Sequence, residues 1–334
     1  MATIKDVAKA AGVSLSTASY ALNDSPKISA ETKERVRKVA QDLRYFPDGT
    51  AKNLKKSKTE TVGVFLGDLT GPLYGEIIDG IQEVLASTTF DLILCSNHGG
   101  KVRTAQKFLH ERRVDGAIIL SPYIDDGFIR DMVDDRLPIV FLDRELKGKS
   151  LYSILIDNRK GAQLATAHLL SLGRGEVHYL GGSSLAYDET KRFEGYLDGL
   201  TEKGIQYKKE WRLEGNFTED SGYRVIKGLI AKGEVPRSLF AANDEMAIGA
   251  MRALAEASIP VPGRVAIVGF DDIKLASYIH PRLSTISRPK FEMGVLAAHV
   301  LLKAIAGENV KSSVTLSVDL VVRESCGGVV PPLH

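Results

Sequence analysis

Cysteine is nearly absent: Cys95 and Cys326 are the only two in 334 residues. Two thiols so far apart build neither a disulfide framework nor a cysteine-based metal site. No apolar run approaches the roughly 18 residues that a membrane-spanning helix requires, and the first residues hold no apolar stretch of the signal-peptide kind. A cytoplasmic protein with no membrane partner is expected. Histidine is scattered, and none of His98, His110, His168, His178, His280 or His299 pairs with another at metal-ligand spacing. No serine occupies a G-x-S-x-G elbow. Gly148-Lys149-Ser150 has the ending of a phosphate-binding loop, but Asp143 stands where that loop needs its first glycine. Gly181-Gly182-Ser183-Ser184 reads as a turn after a strand. No reaction centre is built by these residues, so neither an enzyme nor a cofactor nor a metal is expected.

What the sequence does have is an uneven distribution of charge. The chain is 44% apolar and 26% charged, with a net charge of +2. Residues 1–58 carry nine Lys and three Arg against four Asp and two Glu, a balance of +6, so the remainder carries −4. A basic head on an acidic body is the layout of a nucleic-acid binder, although a solvated basic face gives the same imbalance.

The head reads as three short helices. Ile4, Val7, Ala8 and Ala11 form one apolar stripe, Gly12 allows a turn, and Ser14 is placed to cap the next helix. Ser29 caps a third, with Glu31 in its first turn and Val36, Val39, Ala40 and Leu43 on its buried face. The middle helix, VSLSTASYAL from Val13 to Leu22, decides the function. At about 100° per residue, Thr17, Ala18, Ala21 and Leu22 share one side, where the two alanines permit close packing. Leu15, Ser16, Ser19, Tyr20 and Asn23 share the other. That face lacks the Lys, Glu and Gln that fill a solvated helix surface. Short hydroxyls, an aliphatic tip and a phenol suit base edges and thymine methyls instead.

From Tyr45 to Glu60 the segment YFPDGTAKNLKKSKTE is polar and basic and, alone, would be a plain linker. Yet Pro47 and Asp48 can start a helix, with Ala51 and Leu54 on one side. That is too little apolar surface to hold a short helix in water. It could fold with Leu54 wedged between base pairs in a minor groove.

From Thr61 the rhythm changes. The runs TVGVFL, FDLILC, DGAIIL, LPIVFLD, EVHYLGG, RSLFAAN and VAIVGFDD are nearly continuous apolar strands, as in parallel sheets covered on both faces. They are too many for one compact sheet, and the pattern restarts after Ile156, which predicts two lobes. Ligands of such sheets sit beyond the carboxyl ends of the strands. There the sequence places Asp143, Asn243, Asp244, Asp271 and Asp272, with Arg192 in the helix that follows EVHYLGG. A single such Asp is as readily a helix cap. Several carboxylates and amides converging with an arginine suit the hydroxyls of a sugar.

The stretches TIKDVAKAAGVSLSTASYALN, AANDEMAIGAMRAL and VAIVGFDDIKLASYIHPRLSTI resemble the LacI/GalR family of bacterial transcription regulators, and the resemblance runs to the end of the chain. It implies an N-terminal three-helix helix-turn-helix head plus an α/β two-lobed periplasmic-binding-protein-like core of two doubly wound parallel sheets. The implied domains are a head over 1–46, a hinge over 47–60 and a core over 61–334. Lobe one would span about 61–158 plus 288–320, and lobe two about 159–287 plus 321–334. The resemblance assigns Leu15, Ser16 and Tyr20 to base contacts and Thr17, Ser19 and Asn23 to phosphates, with Thr3 and Ser14 also at the DNA. Tyr20 replaces the family's frequent arginine, which predicts a different base preference. In the hinge, Leu54 would be the wedge with Ala51 and Lys52 beside it, while Gly49 costs about 1 kcal/mol of helix propensity. Arg192, Asn243 and Asp271 would bind effector hydroxyls, with Asp143 approaching from lobe one, Phe217 stacking on the ring and Tyr74 lining lobe one's side. Arg288 stands where Gln is frequent, and Asp272 reads as structural.

The implied function is repression of carbohydrate-utilisation genes, relieved when a mono- or oligosaccharide effector releases a homodimer from a pseudo-palindromic operator. A corepressor mode with a nucleobase or a protein coregulator is the alternative. A two-lobed solute-binding protein and an α/β sugar enzyme are the readings from other classes. After Val322 no heptad segment is long enough for a four-chain coiled coil, so a dimer is expected.

Overall fold

The computed structural model describes residues 2–45, 58–183 and 186–327. The hinge positions Ala51, Lys52 and Leu54 lie outside them. The chain divides into two compact units, Met1–Thr59 and Glu60–His334.

In the first unit, α1 (Ile4–Ala10), α2 (Leu15–Leu22) and α3 (Ala30–Asp42) enclose a small core of Val7, Ala8, Ala11, Ala18, Ala21, Val36 and Ala40. Each helix begins on a hydroxyl: Thr3, Ser14 and Ser29 accept from the backbone N–H three residues on, satisfying a donor that the helix itself leaves free. Gly12 takes a φ of +66° between α1 and α2, a turn that glycine adopts without strain. Leu43 departs from expectation. It lies just past the end of α3 and is 38% exposed, because a three-helix core this small is already closed by Val36, Val39 and Ala40.

The second unit holds two six-stranded sheets. Lobe one contains β1 (Thr61–Leu66), α4 (Tyr74–Leu85), β2 (Asp91–Ser96), α5 (Arg103–His110), β3 (Gly116–Leu120), α6 (Asp126–Met132), β4 (Ile139–Leu142) and β5 (Leu151–Ile156). Lobe two follows with α7 (Asn158–Ser171), β6 (His178–Gly181), α8 (Tyr187–Glu202), β7 (Arg212–Glu214), α9 (Glu219–Lys232), β8 (Ser238–Ala241), α10 (Asp244–Glu256), β9 (Ala266–Asp271) and β10 (Ser284–Ser287). The chain then returns to lobe one for α11 (Lys290–Ile305) and β11 (Ser313–Leu316), and ends in lobe two with β12 (Asp319–Val321). Sheet one is ordered β11-β5-β4-β3-β1-β2 and is parallel throughout. Sheet two is ordered β12-β10-β9-β8-β6-β7 and is parallel except for β12, which runs antiparallel to β10 at the edge. Such an edge strand is common on an otherwise parallel sheet.

The lobes are thus joined three times: after β5, between β10 and α11, and between β11 and β12. The third crossing falls at Ser317 and Val318, ahead of the boundary expected after Leu320, because β12 is already hydrogen-bonded to β10 through Leu320 itself. Among the described residues, no helix is long and apolar enough to cross a membrane.

Packing is close where helices pair. A side chain on Gly80 of α4 would collide with the Phe291 carbonyl of α11, and one on Gly294 of α11 with the Ile77 carbonyl of α4. These two helices therefore touch backbone to backbone on one face of sheet one. The other face is covered by Ala105 and Leu109 of α5 and Ile129 of α6.

Candidate functional site

The head presents one face that its own core leaves uncovered. Ala18 and Ala21 of α2 are fully buried, while Ser14, Leu15, Ser16, Tyr20 and Asn23 are exposed and Thr17 and Ser19 are half-buried. Leu15 is 46% and Tyr20 39% exposed, so an aliphatic and an aromatic side chain both stand in solvent. Ser14 Oγ accepts from Thr17 N at 3.0 Å and lies 2.8 Å from the hydroxyls of Ser16 and Thr17, which orders the row of hydroxyls at the start of the helix. Asn23 Nδ2 donates to Ser19 O at 2.8 Å, and Lys27 Nζ lies 5.9 Å from the centre of the Tyr20 ring. Thr3 is occupied locally: its hydroxyl donates to Asp6 Oδ2 at 2.8 Å and accepts from Asp6 N at 3.4 Å. Asp24, in the left-handed region at φ +56°, is paired with Lys33 at 3.0 Å and Arg37 at 2.9 Å. The hydrogen bond from Lys33 holds its carboxyl below the usual range.

In the core, the strand ends bring charges from both lobes onto one arginine. Asp143, just after β4, and Asp271, the last residue of β9, belong to different lobes, and both pair with Arg288 in the second crossover. Arg288 Nη2 donates to Asp143 Oδ2, and its Nη1 lies 3.4 Å from Asp271 Oδ1. Asp271 Oδ1 also accepts from Arg192 Nη2 at 3.3 Å. Arg192, in the second turn of α8, is only 1% exposed. Its Nε donates to Asn158 Oδ1 at 2.8 Å and its Nη1 to Ala242 O at 2.5 Å, and Asp188 Oδ2 lies 3.3 Å from its Nη2. The guanidinium stacks 3.9 Å from the Phe270 ring centre. Three of its five N–H groups are therefore committed in hydrogen bonds within the protein, beside the ion pair with Asp188.

Asn243 is similarly engaged. It caps α10 by accepting from Met246 N at 3.0 Å, and its Nδ2 donates to Phe217 O at 2.8 Å. That bond fixes Phe217 at φ +69°, with its ring over Gly182, where any side chain would collide with it. Tyr74 opens α4 in lobe one. Burial, helped by the nearby Asp68, pushes its phenol up to about 12, so it is a neutral donor at ordinary pH. Glu245, in the first turn of α10 in lobe two, has its carboxyl pushed up to about 7 by burial first and then by Asp271, Glu219 and Asp68. Asp272 pairs with Arg323 at 2.7 Å, and buried Asp244 is held by Thr285 Oγ1 at 2.5 Å and Ile273 N at 2.9 Å.

At the lobe junction two buried polar atoms have no hydrogen-bond partner among the described residues: Asp143 Oδ1, an acceptor, and Arg288 Nε, a donor. Among the described residues the whole amide of Asn97, fully buried just after β2, is likewise without a partner at Oδ1 and Nδ2. Leaving such groups unmet costs about 1–3 kcal/mol each. Sequence reasoning did not single out Asn97, Asn158, Asp188, Glu245 or Lys290. Asn97 directly follows an apolar strand, and Asn158 opens α7 two residues after another, and that position was the available signal. Asp188, Glu245 and Lys290 lie within the first turns of helices and carry no comparable mark.

Two parts of the chain match known families. Residues 3–48 match the bacterial regulatory proteins of the lacI family, and residues 166–326 match the periplasmic binding protein-like domain. Along its length the chain is 34% identical over 328 residues to the probable HTH-type transcriptional repressor ExuR of Bacillus subtilis, covering 97% of this chain and 98% of that one. It is 32% identical over 331 residues to the HTH-type transcriptional repressor PurR of Mannheimia succiniciproducens, with the same coverage. Among solved structures, the lac repressor dimer bound to operator and the anti-inducer ONPF superposes with a TM-score of 0.81 at 29% identity, covering 97% of this chain and 99% of that one. A complex of the transcriptional regulator CelR with cellobiose gives 0.73 at 29% identity, covering 97% and 100%.

Proposed function

The chain belongs to the LacI family of bacterial regulatory proteins, and from that premise we propose that it is a cytoplasmic repressor released from its operator by a neutral, polyhydroxylated effector. Its α2 face enters the major groove with Leu15, Ser16 and Tyr20 on base edges and Ser14, Thr17, Ser19 and Asn23 towards the backbone. Thr3, at the start of α1, adds a backbone contact. Two copies place two such faces on a two-fold site, as in the lac repressor dimer with its operator.

The effector class rests on one observation: the free acceptor Asp143 Oδ1 and the free donor Arg288 Nε belong to one ion pair between the lobes. An arriving group must donate to the first and accept from the second. A hydroxyl does both. A carboxylate or phosphate only accepts, and would be repelled by Asp143. A sugar with adjacent hydroxyls meets this need, and cellobiose in CelR is a ligand of that class. Phe217 supplies an apolar ring face, Tyr74 a donor from lobe one, and Asp271 the acceptor from lobe two. Arg192 and Asn243, largely committed within the protein, act by holding Asp271 and Phe217 in place.

The effector shifts the operator equilibrium only by its preference for the state that does not bind DNA, each 1.4 kcal/mol being about tenfold in affinity. The test has two arms. Selection from random duplex pools at moderate ionic strength is expected to enrich a two-fold sequence; enrichment of none defeats the repressor reading. Thermal shifts are then measured with D-ribose, D-glucose, cellobiose, D-glucuronate and hypoxanthine. A sugar at 100 times its Kd stabilises by about 2.7 kcal/mol and should weaken binding to the selected duplex. Stabilisation by hypoxanthine or D-glucuronate with no response to a neutral sugar defeats the effector class alone.

A further inference from the structure

The second crossover carries another buried cation, which the effector reading leaves unused. Lys290 is the first residue of α11, a lobe-one helix, yet it is only 3% exposed. Its Nζ donates to the main-chain carbonyls of Asp271 at 3.0 Å and Asp272 at 2.6 Å in lobe two. It also pairs at 3.3 Å with Glu76 Oε1 in the first turn of α4 in lobe one. An ammonium has three protons, and three acceptors drawn from both lobes surround this one.

The backbone that it holds is unusual. Asp271 and Asp272 are consecutive non-glycine residues at φ +107° and +51°. Side chains disfavour this region, and such residues persist only where their surroundings over-determine them. Here the side chains are fixed from one direction, Asp271 by Arg192 and Arg288 and Asp272 by Arg323. The carbonyls are fixed from the other, by Lys290. Removing the lysine would take a donor from one buried and one half-buried carbonyl at the least favourable point of the chain.

We propose that Lys290 is a positioning residue: it sets the main chain of Asp271 for the effector and, through Glu76, ties the state of the cleft to the α4–α11 pair of lobe one. The second half follows from the glycine contacts. With Gly80 and Gly294 bringing the two helices backbone to backbone, a displacement of the first turn of α11 cannot be absorbed by side chains and is passed to α4. Parting the lobes draws Lys290 away from the two carbonyls, so the clamp exists only while the cleft is closed. The inference rests on the preceding reading only in taking Asp271 as an effector contact.

Hydrogen exchange on the full-length protein, with no small molecule added, tests it separately from the identity of the effector. The reporter amides are Asp272 N, bonded to Thr285 Oγ1 at 3.3 Å, and Ile273 N, bonded to Asp244 Oδ2 at 2.9 Å, together with Ile78–Gly80 in α4. In Lys290→Met, exchange is expected to rise about tenfold at both places while β3 stays as protected as before. Lys290→Arg, which keeps a cationic donor, should restore most of the protection at Asp272 and Ile273. Glu76→Gln should loosen α4 most and Asp272–Ile273 by a smaller factor. Unchanged exchange at Asp272 and Ile273 in Lys290→Met overturns the proposal, and so does a uniform rise along the whole chain, which would mark a merely structural role. Should Lys290→Met fail to fold, Glu76→Gln decides, with wild-type exchange at Asp272 and Ile273 as the overturning result.

Discussion

Tyr20 shows how a single side chain sets what the head can read. An arginine there could make two parallel bonds to guanine. A phenol offers one hydroxyl and an apolar ring, here with Lys27 at its face. Tyr20→Ala is therefore expected to cost about 1–3 kcal/mol in discrimination at one base pair, measured by titrating the preferred duplex against a single substitution at that pair. Unchanged discrimination would remove Tyr20 from the base readers. At this scale, position was legible and partnership was not. Asp143, Arg192, Asn243 and Asp271 could be located because residues beyond parallel strands converge. Arg192, however, spends itself on Asn158, 34 residues away, and on Asp271, 79 residues away, and no local pattern announces such pairings. The hydroxyls of α2 were the opposite case. Helical period alone separated Ser16, Ser19 and the Tyr20 phenol from Ala18 and Ala21, and the exposures of Leu15 and Tyr20 follow that division.

Among the elements, legibility followed burial on both faces. β1, β3, β4, β8 and β9 are near-continuous apolar runs and are buried almost throughout. β10 reads Ser-Thr-Ile-Ser and gives no apolar signal, yet its first three residues are buried. Its two fully buried hydroxyls are matched: Ser284 Oγ accepts from Arg323 N at 2.8 Å, and Thr285 Oγ1 donates to Asp244 Oδ1 at 2.5 Å. A polar strand is stable in a core only with such partners, and they come from segments distant in sequence. β7 and β12 have three residues each, too short for any period to register. The helix pair α4–α11 offers a prediction with its own control. Gly294→Ala drives a methyl into the Ile77 carbonyl, whereas Gly228, in α9, has open space around it. Overpacking against backbone costs about 1–3 kcal/mol, while relieving an exposed helical glycine gains roughly 0.5–1 kcal/mol. Calorimetry should find Gly294→Ala melting lower and Gly228→Ala melting slightly higher than wild type. Equal effects would mean that α4 and α11 are not in backbone contact.

For the molecule as a whole, three crossings put the junction of the lobes under one electrostatic balance. At the second crossing Arg288 bridges carboxylates of both lobes, and Lys290 joins a lobe-one carboxylate to two lobe-two main-chain carbonyls. Elsewhere at the cleft the charges oppose closure: Asp68 of lobe one raises the carboxyl of Glu245 in lobe two, and both raise the phenol of Tyr74. The sign of the consequence is fixed. Glu245 has a folded value of about 7 against an ordinary 4.5, so between those limits the folded chain binds more protons than the unfolded one. The contribution of Glu245 to stability must then fall as pH rises through that window, and the penalty is complete once Glu245 is ionised. Glu245→Gln removes the ionisation and keeps the shape. Its melting temperature should differ little from that of wild type below about pH 5, then exceed it by a margin that grows to a plateau above about pH 8. Taking the difference between variant and wild type cancels the other carboxylates, among them Asp198 and Glu324, whose values are lowered and whose effect has the opposite sign. A margin that does not change with pH would mean that Glu245 faces water rather than Asp68 and Asp271, and that the lobes do not close on it.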